Sequence, residues 1–278
     1  MSAQLVIRDG EPHWWASQDI WVVPGDDPAG APGAPIAGES AYLWARTRND
    51  GDQAVTGARV DWYWSNPATG VLRSNSQLVG SGFVDLAPGE VKEVLCLVPW
   101  VPVLVNDGHE CVVAEIHHAA DPLPNPLPDA FQPPAFHQVA QRNLTVLEVA
   151  PKKMMALPVQ LGAPQRIGGA VEVFLDLDGE LDEETLAGLG LRGFQRAALD
   201  PGHVALSWRG GCRADGEIVG EHRLEAKMEP GVSRSVHLHV GALDLPRRTY
   251  VPVHIVSRGR DERLAGGITY VLTAAEEA

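Results

Sequence analysis

Short apolar segments that alternate with polar residues, each followed by a turn sequence, recur along all 278 residues of this chain. In residues 58–64, for example, Val60, Trp62 and Trp64 occupy alternate positions and therefore face one side of a strand. The 29 glycines and 22 prolines are scattered between such segments, where turns require them. This period of two residues predicts an all-β chain.

Strands in the first half are predicted over residues 19–23, 40–48, 58–64, within 71–80, 91–98, 110–118 and 142–149. Two proline-rich loops, residues 24–38 and 121–136, interrupt them. About seven short strands in roughly 150 residues are typical of a β-sandwich.

Strands in the second half are predicted over residues 170–177, 203–208, 219–227, 233–240, 250–257 and 267–273. Residues 182–189 predict a short helix, because acidic residues open the segment and Leu186 and Leu189 recur at helical spacing. Near the end of each half, a Pro-Gly pair precedes a strand, a loop and a second strand. We therefore predict two tandem immunoglobulin-like β-sandwich domains, residues 1–150 with an N-terminal arm and residues 151–278 with the one short helix.

A set of turn and core signals marks the first half. It consists of residues 42–49 followed by Gly51, the Pro88-Gly89 turn before a strand, and a Gly-His-x-Cys strand that leads to Asp121-Pro122. On these residues, positions 15–150 resemble the bacterial Ig-like domains of the cell-adhesion-related type, often called CARDB-like. The resemblance implies an Ig-like fold and an accessory or adhesive role, which some members perform beside a secreted enzyme.

The chain has a net charge of −14, and residues 1–150, with 18 acidic and 7 basic side chains, account for −11 of it. Such a surface repels phosphate backbones, so we expect no nucleic-acid partner. Basic runs for an anionic membrane and apolar runs of spanning length are both missing from the sequence, so we expect no membrane partner. The first residues lack the features of a signal peptide, so we expect a cytoplasmic protein that leaves the cell only within a larger particle.

Two groups of residues have the chemistry of metal ligands. They are His109, Cys111, Glu115, His117 and His118 on one predicted strand, and His237, His239 and His254 on two others. Imidazole, thiolate and carboxylate groups suit zinc or copper. Neither group has a second ligand pair, so we interpret both as polar outer faces of strands and assign no metal and no cofactor. Metal binding stays open as an alternative, as does a Cys96–Cys111 disulfide in place of two free thiols.

Catalytic motifs are absent from the sequence. Asp176, Asp178 and the acidic residues up to Glu184 resemble a calcium loop only superficially, because the alternating ligand pattern is incomplete; we interpret them as a turn before a helix. The sequence contains no nucleophile elbow, reactive-cysteine motif or phosphate-binding glycine loop. We therefore expect no catalytic residues and no enzyme.

Seven of the eight tryptophans lie in the first 100 residues. Core packing explains most of them, Trp62 in particular. Trp14 and Trp15 are adjacent on an extended segment, so one of them is expected to be exposed on the arm, where it would contact a partner. We expect a protein-binding or assembly module of a larger bacterial complex, with a metal-binding sandwich and a carbohydrate-binding module that uses exposed tryptophans as alternatives.

Overall fold

The computed structural model describes residues 2–10, 12–66, 68–103, 111–150, 153–161, 169–210, 218–229, 232–259 and 264–275. The structure is 50% strand and 6% helical, so the all-β prediction is confirmed. Two compact units are present: one comprises Met1–Asn66, Val71–Asn143 and Glu184–Gly190, and the other comprises Pro67–Gly70, Leu144–Glu183 and Leu191–Ala278. The division into folding domains at residues 150 and 151 stays a prediction.

Eight strands lie in the described residues of unit one. They are β1 (Leu5–Val6), β2 (Ile20–Pro24), β3 (Ala41–Asn49), β4 (Val55–Ser65), β5 (Gln77–Leu86), β6 (Val91–Leu95), β7 (Cys111–His117) and β8 (Val139–Arg142). One sheet has the order β1-β3-β2, with β6 also paired to β3, and the other has the order β5-β4-β7-β8. Every pair in both sheets is antiparallel.

The core of unit one lies between its two sheets. Leu43 of β3 and Val94 of β6 pack in one apolar cluster with Trp62 of β4 and Ile116 of β7. Trp62 has no exposed surface, as predicted. Alternation on β4 and β7 produces this core, because every second side chain of a strand faces the same side.

Among the described residues, the chain after Asn143 forms nine strands, which belong to unit two, and one helix. They are β9 (Leu144–Val149), β10 (Met155–Leu161), β11 (Gly169–Asp176), α1 (Glu183–Gly188, most of which belongs to unit one), β12 (Gln195–Arg196), β13 (Val204–Ser207), β14 (Arg223–Met228), β15 (Arg234–Val240), β16 (Thr249–Arg258) and β17 (Leu264–Ala274). One sheet has the order β10-β15-β13 and the other β14-β11-β16-β17-β9, with β12 also paired to β16. A second apolar cluster, which includes Leu238 and Ile255, joins the two sheets.

Several local predictions differ from the structure. Residues 142–149 form two strands in different sheets, because the backbone N–H of Asn143 donates to Trp15 O at 2.7 Å and leaves the ladder. Strand β10 was not predicted, since it contains Pro158; it lies at a sheet edge, where a missing N–H is tolerated. The strand expected within 71–80 begins only at Gln77.

The N-terminal segment is not an arm. Strand β1 pairs with β3, and Leu5 and Ile7 belong to the core. Trp15 is fully buried and Trp14 is half-buried against it, with ring centroids 5.7 Å apart. The expected exposed tryptophan is therefore wrong, because the segment is held by sheet pairing. In the part of the chain that the structure describes, no helix has the length and apolar character needed to cross a bilayer.

Candidate functional site

The face of β5, β4 and β7 that points away from the core carries two aligned rows of side chains. The register places them as Phe83–Arg59–His117 and Ser81–Asp61–Glu115. Residues directly opposite on neighbouring strands are close enough to interact. We expected the outer face of β7 to be polar and solvated, but its Glu115 is fully buried, and the neighbouring Asp61 of β4 is 4% exposed. The loop of residues 118–136 covers part of it.

Arg73 holds this covering loop against the sheet. Its guanidinium makes two hydrogen bonds to the carboxylate of Glu115, and its Nε donates to Pro128 O at 3.0 Å. The same guanidinium lies 4.1 Å from the ring centroid of Phe131. Phe131 packs with Val113 in a small apolar cluster on the outer side of β7. Strand β7 is therefore covered on both faces, which alternation alone does not predict.

His117 lies between the two buried carboxylates. Its Nε2 is 2.8 Å from Glu115 Oε1 and 3.3 Å from Asp61 Oδ2. Both oxygens are close enough to the ring nitrogen to pair with a protonated imidazole. Burial alone would lower the pKa of His117, but the two carboxylates raise it from 6.5 to about 9. His117 is therefore an imidazolium at neutral pH and is no proton acceptor there.

Both carboxylates are ionised at neutral pH. Burial would raise the pKa of Asp61, but contacts with His117, Ser81 and Arg59 lower it below its ordinary value. Ser81 Oγ donates to Asp61 Oδ1 at 2.5 Å, and Arg59 Nη2 lies 3.0 Å from Oδ2. The pKa of Glu115 is likewise lowered by His117 and Arg73 against the effect of burial. Three cations thus surround two carboxylates, which leaves one positive charge in excess.

An open groove of about 520 Å³ lies over the Phe83–Arg59–His117 row. Residues of the covering loop complete its walls, among them His118, Leu123 and Leu127. Phe83 is 69% exposed and Arg59 is half-exposed. The groove therefore combines an open aromatic ring with cationic groups, an arrangement that can bind an anion with an apolar part. Alternation along β4 and β7 indicates from the sequence that Arg59 and His117 face away from the core. The groove itself, however, depends on where the covering loop of residues 118–136 lies.

The first candidate metal group is not assembled. Cys111 lies in the apolar cluster with Phe131, while Glu115 is paired to Arg73. His118 Nδ1 accepts a hydrogen bond from the backbone N–H of Ala120. His109 lies outside the described residues. Among those that are described, no three His, Cys, Asp or Glu side chains could hold a metal ion together.

The second candidate group is separated by the topology of unit two. His237 and His239 are on β15, whereas His254 is on β16, which belongs to the other sheet. His239 and His254 are 3% and 2% exposed, so the expected solvated face is wrong for both. His254 Nδ1 lies 2.8 Å from Thr269 Oγ1, which shows that the ring is part of the interior packing.

The acidic cluster before the helix forms a turn, and the two cysteines of unit one lie apart. Asp176 accepts a hydrogen bond from the backbone N–H of Asp178 at 3.0 Å, which is the predicted turn. The helix follows at Glu183, as predicted. Cys96 and Cys111 are free thiols in separate apolar clusters, so the alternative of a disulfide between them is wrong.

The tryptophans form no open platform. All eight lie within the described residues, and each is buried or half-buried. Trp21 and Trp44 stack with ring centroids 5.9 Å apart, and Arg46 lies over Trp21. Trp44 Nε1 donates to Pro28 O at 3.0 Å, so part of the 24–38 loop packs on this pair.

A second surface feature of unit one is a strip of exposed apolar side chains. We define the apolar strip as Ile36, Leu78, Leu97, Val98, Val101 and Val103, which are 43–74% exposed. A methyl group added at Gly80 would lie 2.8 Å from Val98, which places that side chain over β5. The backbone N–H of Gly38 donates to Pro102 O, which brings the Ile36 loop to the same segment. The strip therefore runs from β5 through residues 97–103 to the Ile36 loop.

Comparison with known proteins finds little. No protein-family profile and no curated protein matches the chain. The similar solved structures include β-glucosidase from Kluyveromyces marxianus, both selenomethionine-labelled and in complex with glucose. Each is 18% identical, and the match covers 44% of this chain and 13% of the enzyme chain with a TM-score of 0.22.

This comparison contradicts the expectation that the chain is not an enzyme, since both of the structures named above are of a β-glucosidase. The expectation depended on motifs that identify serine, cysteine and nucleotide-dependent enzymes, and on the view that an acidic chain has paired carboxylates by chance. The absence of those catalytic motifs was therefore no ground for expecting that the chain is not an enzyme. At a TM-score of 0.22 the similarity also assigns no activity to this chain.

Proposed function

We propose that this chain is a protein-binding module that docks on a larger bacterial assembly through the apolar strip. The observation that carries the proposal is the concentration of exposed apolar side chains in residues 97–103. Single exposed apolar residues are ordinary on protein surfaces, whereas contiguous patches mark sites of interaction. Leu97, at 74% exposure, is the most exposed large apolar residue among those described.

Charge favours a basic partner over a second copy of this chain. Residues 1–150 have a net charge of −11, so two copies of unit one repel each other. A partner with an apolar centre and a rim of Lys or Arg side chains would match both the strip and the net negative charge of residues 1–150. Binding to such a partner weakens as salt concentration rises.

We also propose that both units are Ig-like sandwiches, with unit one related to the cell-adhesion-related bacterial domains. In support, each unit has two sheets with a single large apolar cluster between them. Trp62 lies in the middle of that cluster in unit one, as a core tryptophan of such a sandwich does. A binding role through surface loops is common for modules of this architecture.

The test uses a photo-crosslinking amino acid at position 97 and, as a control, at position 219 in the other unit. Val219 is 50% exposed and lies outside the apolar strip. We expect a stoichiometric partner with a basic surface to crosslink at position 97 only. The Leu97→Ser/Val101→Ser double variant should lose this complex, while Val219→Ser should keep it. Crosslinks to the same proteins from both positions, or an unchanged complex in the double variant, would overturn the proposal.

A further inference from the structure

The groove over β5, β4 and β7 has the size and lining of a ligand site. Its volume of about 520 Å³ lies within the range of roughly 300–1,000 Å³ that is usual for small-ligand sites. Phe83, Arg59 and His117 form its floor as one cross-strand row, so the sheet fixes their relative positions. A row on three paired strands is more rigid than a site made of loops.

The excess positive charge of the floor has no partner among the described residues. Arg73 is turned onto Glu115, and His117 is shared by Glu115 and Asp61. Among the described residues, the one carboxylate paired to Arg59 is Asp61, through one of the two terminal nitrogens of Arg59, whose side chain is 51% exposed. A guanidinium has five N–H donors, so Arg59 retains donors for a further acceptor.

The apolar part of the groove lies beside these cations. Phe83 projects from the edge strand β5, and no ring stacks on it in the part of the chain that is described. Leu123 and Leu127 of the covering loop form the opposite wall. An open phenyl ring next to a guanidinium suits a ligand that is planar and apolar at one end and anionic at the other.

We propose that this groove binds a carboxylate attached to an aromatic or similar planar group. The carboxylate accepts hydrogen bonds from Arg59 and lies next to His117, while the planar group packs on Phe83. Carboxylate rather than phosphate is the matching anion, because the excess is one charge and a single guanidinium can hold both carboxylate oxygens. Two sources carry this chemistry: a free aromatic acid, and an aromatic residue at the C-terminus of a polypeptide.

The test measures binding of N-acetyl-L-phenylalanine and of its amide by titration calorimetry to the full chain. We expect the acid to bind at least tenfold more tightly than the amide. Arg59→Gln and Phe83→Ala should each weaken binding of the acid by tenfold or more. Arg223→Gln, at an exposed arginine of unit two, is the control and should leave binding unchanged. Near-ultraviolet circular dichroism shows that each variant is folded.

A second arm compares the free acid with a tetrapeptide that ends in phenylalanine. Tighter binding of the tetrapeptide assigns the site to a polypeptide C-terminus, and equal binding assigns it to a small acid; both outcomes support the groove. Equal affinity for acid and amide, or full affinity in Arg59→Gln, would overturn it. Leu97→Ser should not alter this binding, so the result is independent of the apolar strip.

Discussion

Arg73 and Glu115 form the central ion pair of unit one: the guanidinium binds both oxygens of a carboxylate that has no exposed surface. Arg73 lies in a turn of the chain before β5, and Glu115 lies on β7, 42 residues away. The pair therefore links the outer face of the sheet to the segment that covers it. We infer that the arrangement of side chains on this outer face depends on the Arg73–Glu115 pair.

Removal of Arg73 should destabilise the fold strongly. In Arg73→Met, the buried Glu115 carboxylate keeps only His117 as a counter-charge, and the loss of one partner of a buried pair costs about 3–5 kcal/mol. Urea denaturation measures the free energy of unfolding. Arg59→Gln is the control: its partner Asp61 retains Ser81 and His117, so we expect a loss of less than about 1 kcal/mol. Equal losses of unfolding free energy in Arg73→Met and Arg59→Gln would contradict the assignment of Arg73 to the central ion pair.

Stability should fall as pH rises from about 6.5 to 9. The pKa of His117 is raised in the folded protein to about 9. The contribution of His117 to the free energy of unfolding is therefore complete below pH 6.5 and is lost as pH rises through 9. The expected loss is about 2–3 kcal/mol. Asp61 and Glu115 have lowered pKa values, so their contributions persist above their ordinary pKa values and are lost at acidic pH. Urea denaturation between pH 3 and 10 tests this. His117→Gln should remove the alkaline decline and also reduce the loss of stability at acidic pH, because His117 contributes to the lowered pKa values of Asp61 and Glu115.

Arg142 should not tolerate lysine. Burial lowers its pKa to about 10, and among the described residues no carboxylate is paired to it. Its two terminal nitrogens donate to Ile20 O at 2.8 Å and Gly188 O at 3.1 Å, a geometry that the single nitrogen of lysine does not reproduce. We expect Arg142→Lys to lower the free energy of unfolding by about 1.5–3 kcal/mol. Arg223→Lys at the surface should change it by less than half of that.

Close approach of β5 to β6 should make Gly82 sensitive to substitution. A methyl group at Gly82 would lie 2.8 Å from Leu95 O, so Gly82→Ala forces the two strands apart and should cost about 1–3 kcal/mol. Gly169 also lies in a strand but has no atom within 4 Å of that position, so Gly169→Ala should be neutral or slightly stabilising. Thermal unfolding of the two variants gives the comparison. A stable Gly82→Ala protein would show that β5 can move away from β6.

Most strands were predictable because alternation is a local property. Residues 58–64 and 233–240 show their pattern without knowledge of any partner strand, and β4 and β15 follow it closely. Strand β10 was missed because the effect of Pro158 depends on whether the strand lies at an edge. The exposed arm was wrongly predicted for a similar reason, since the pairing of β1 with β3 joins residues more than 40 positions apart.

The candidate site was only half predictable. The sequence placed Arg59 with Asp61, and Glu115 with His117, on shared strand faces, but it did not indicate that these faces are neighbours or that a loop covers them. The histidines of β15 and β16 show the opposite case, since similar patterns lie in different sheets. Burial and pKa depend on such neighbours, so they do not follow from a strand pattern.

By itself, the sequence determined the all-β class, the position of most strands and the residues that face the core, because these depend on the period of side chains along one strand. Tertiary structure alone decided that His117 is a half-buried cation, that Arg73 holds the covering loop, and that Phe83 and Arg59 share an open groove. These features arise from contacts between segments tens of residues apart. Their energies depend on distance and burial, which sequence spacing does not encode.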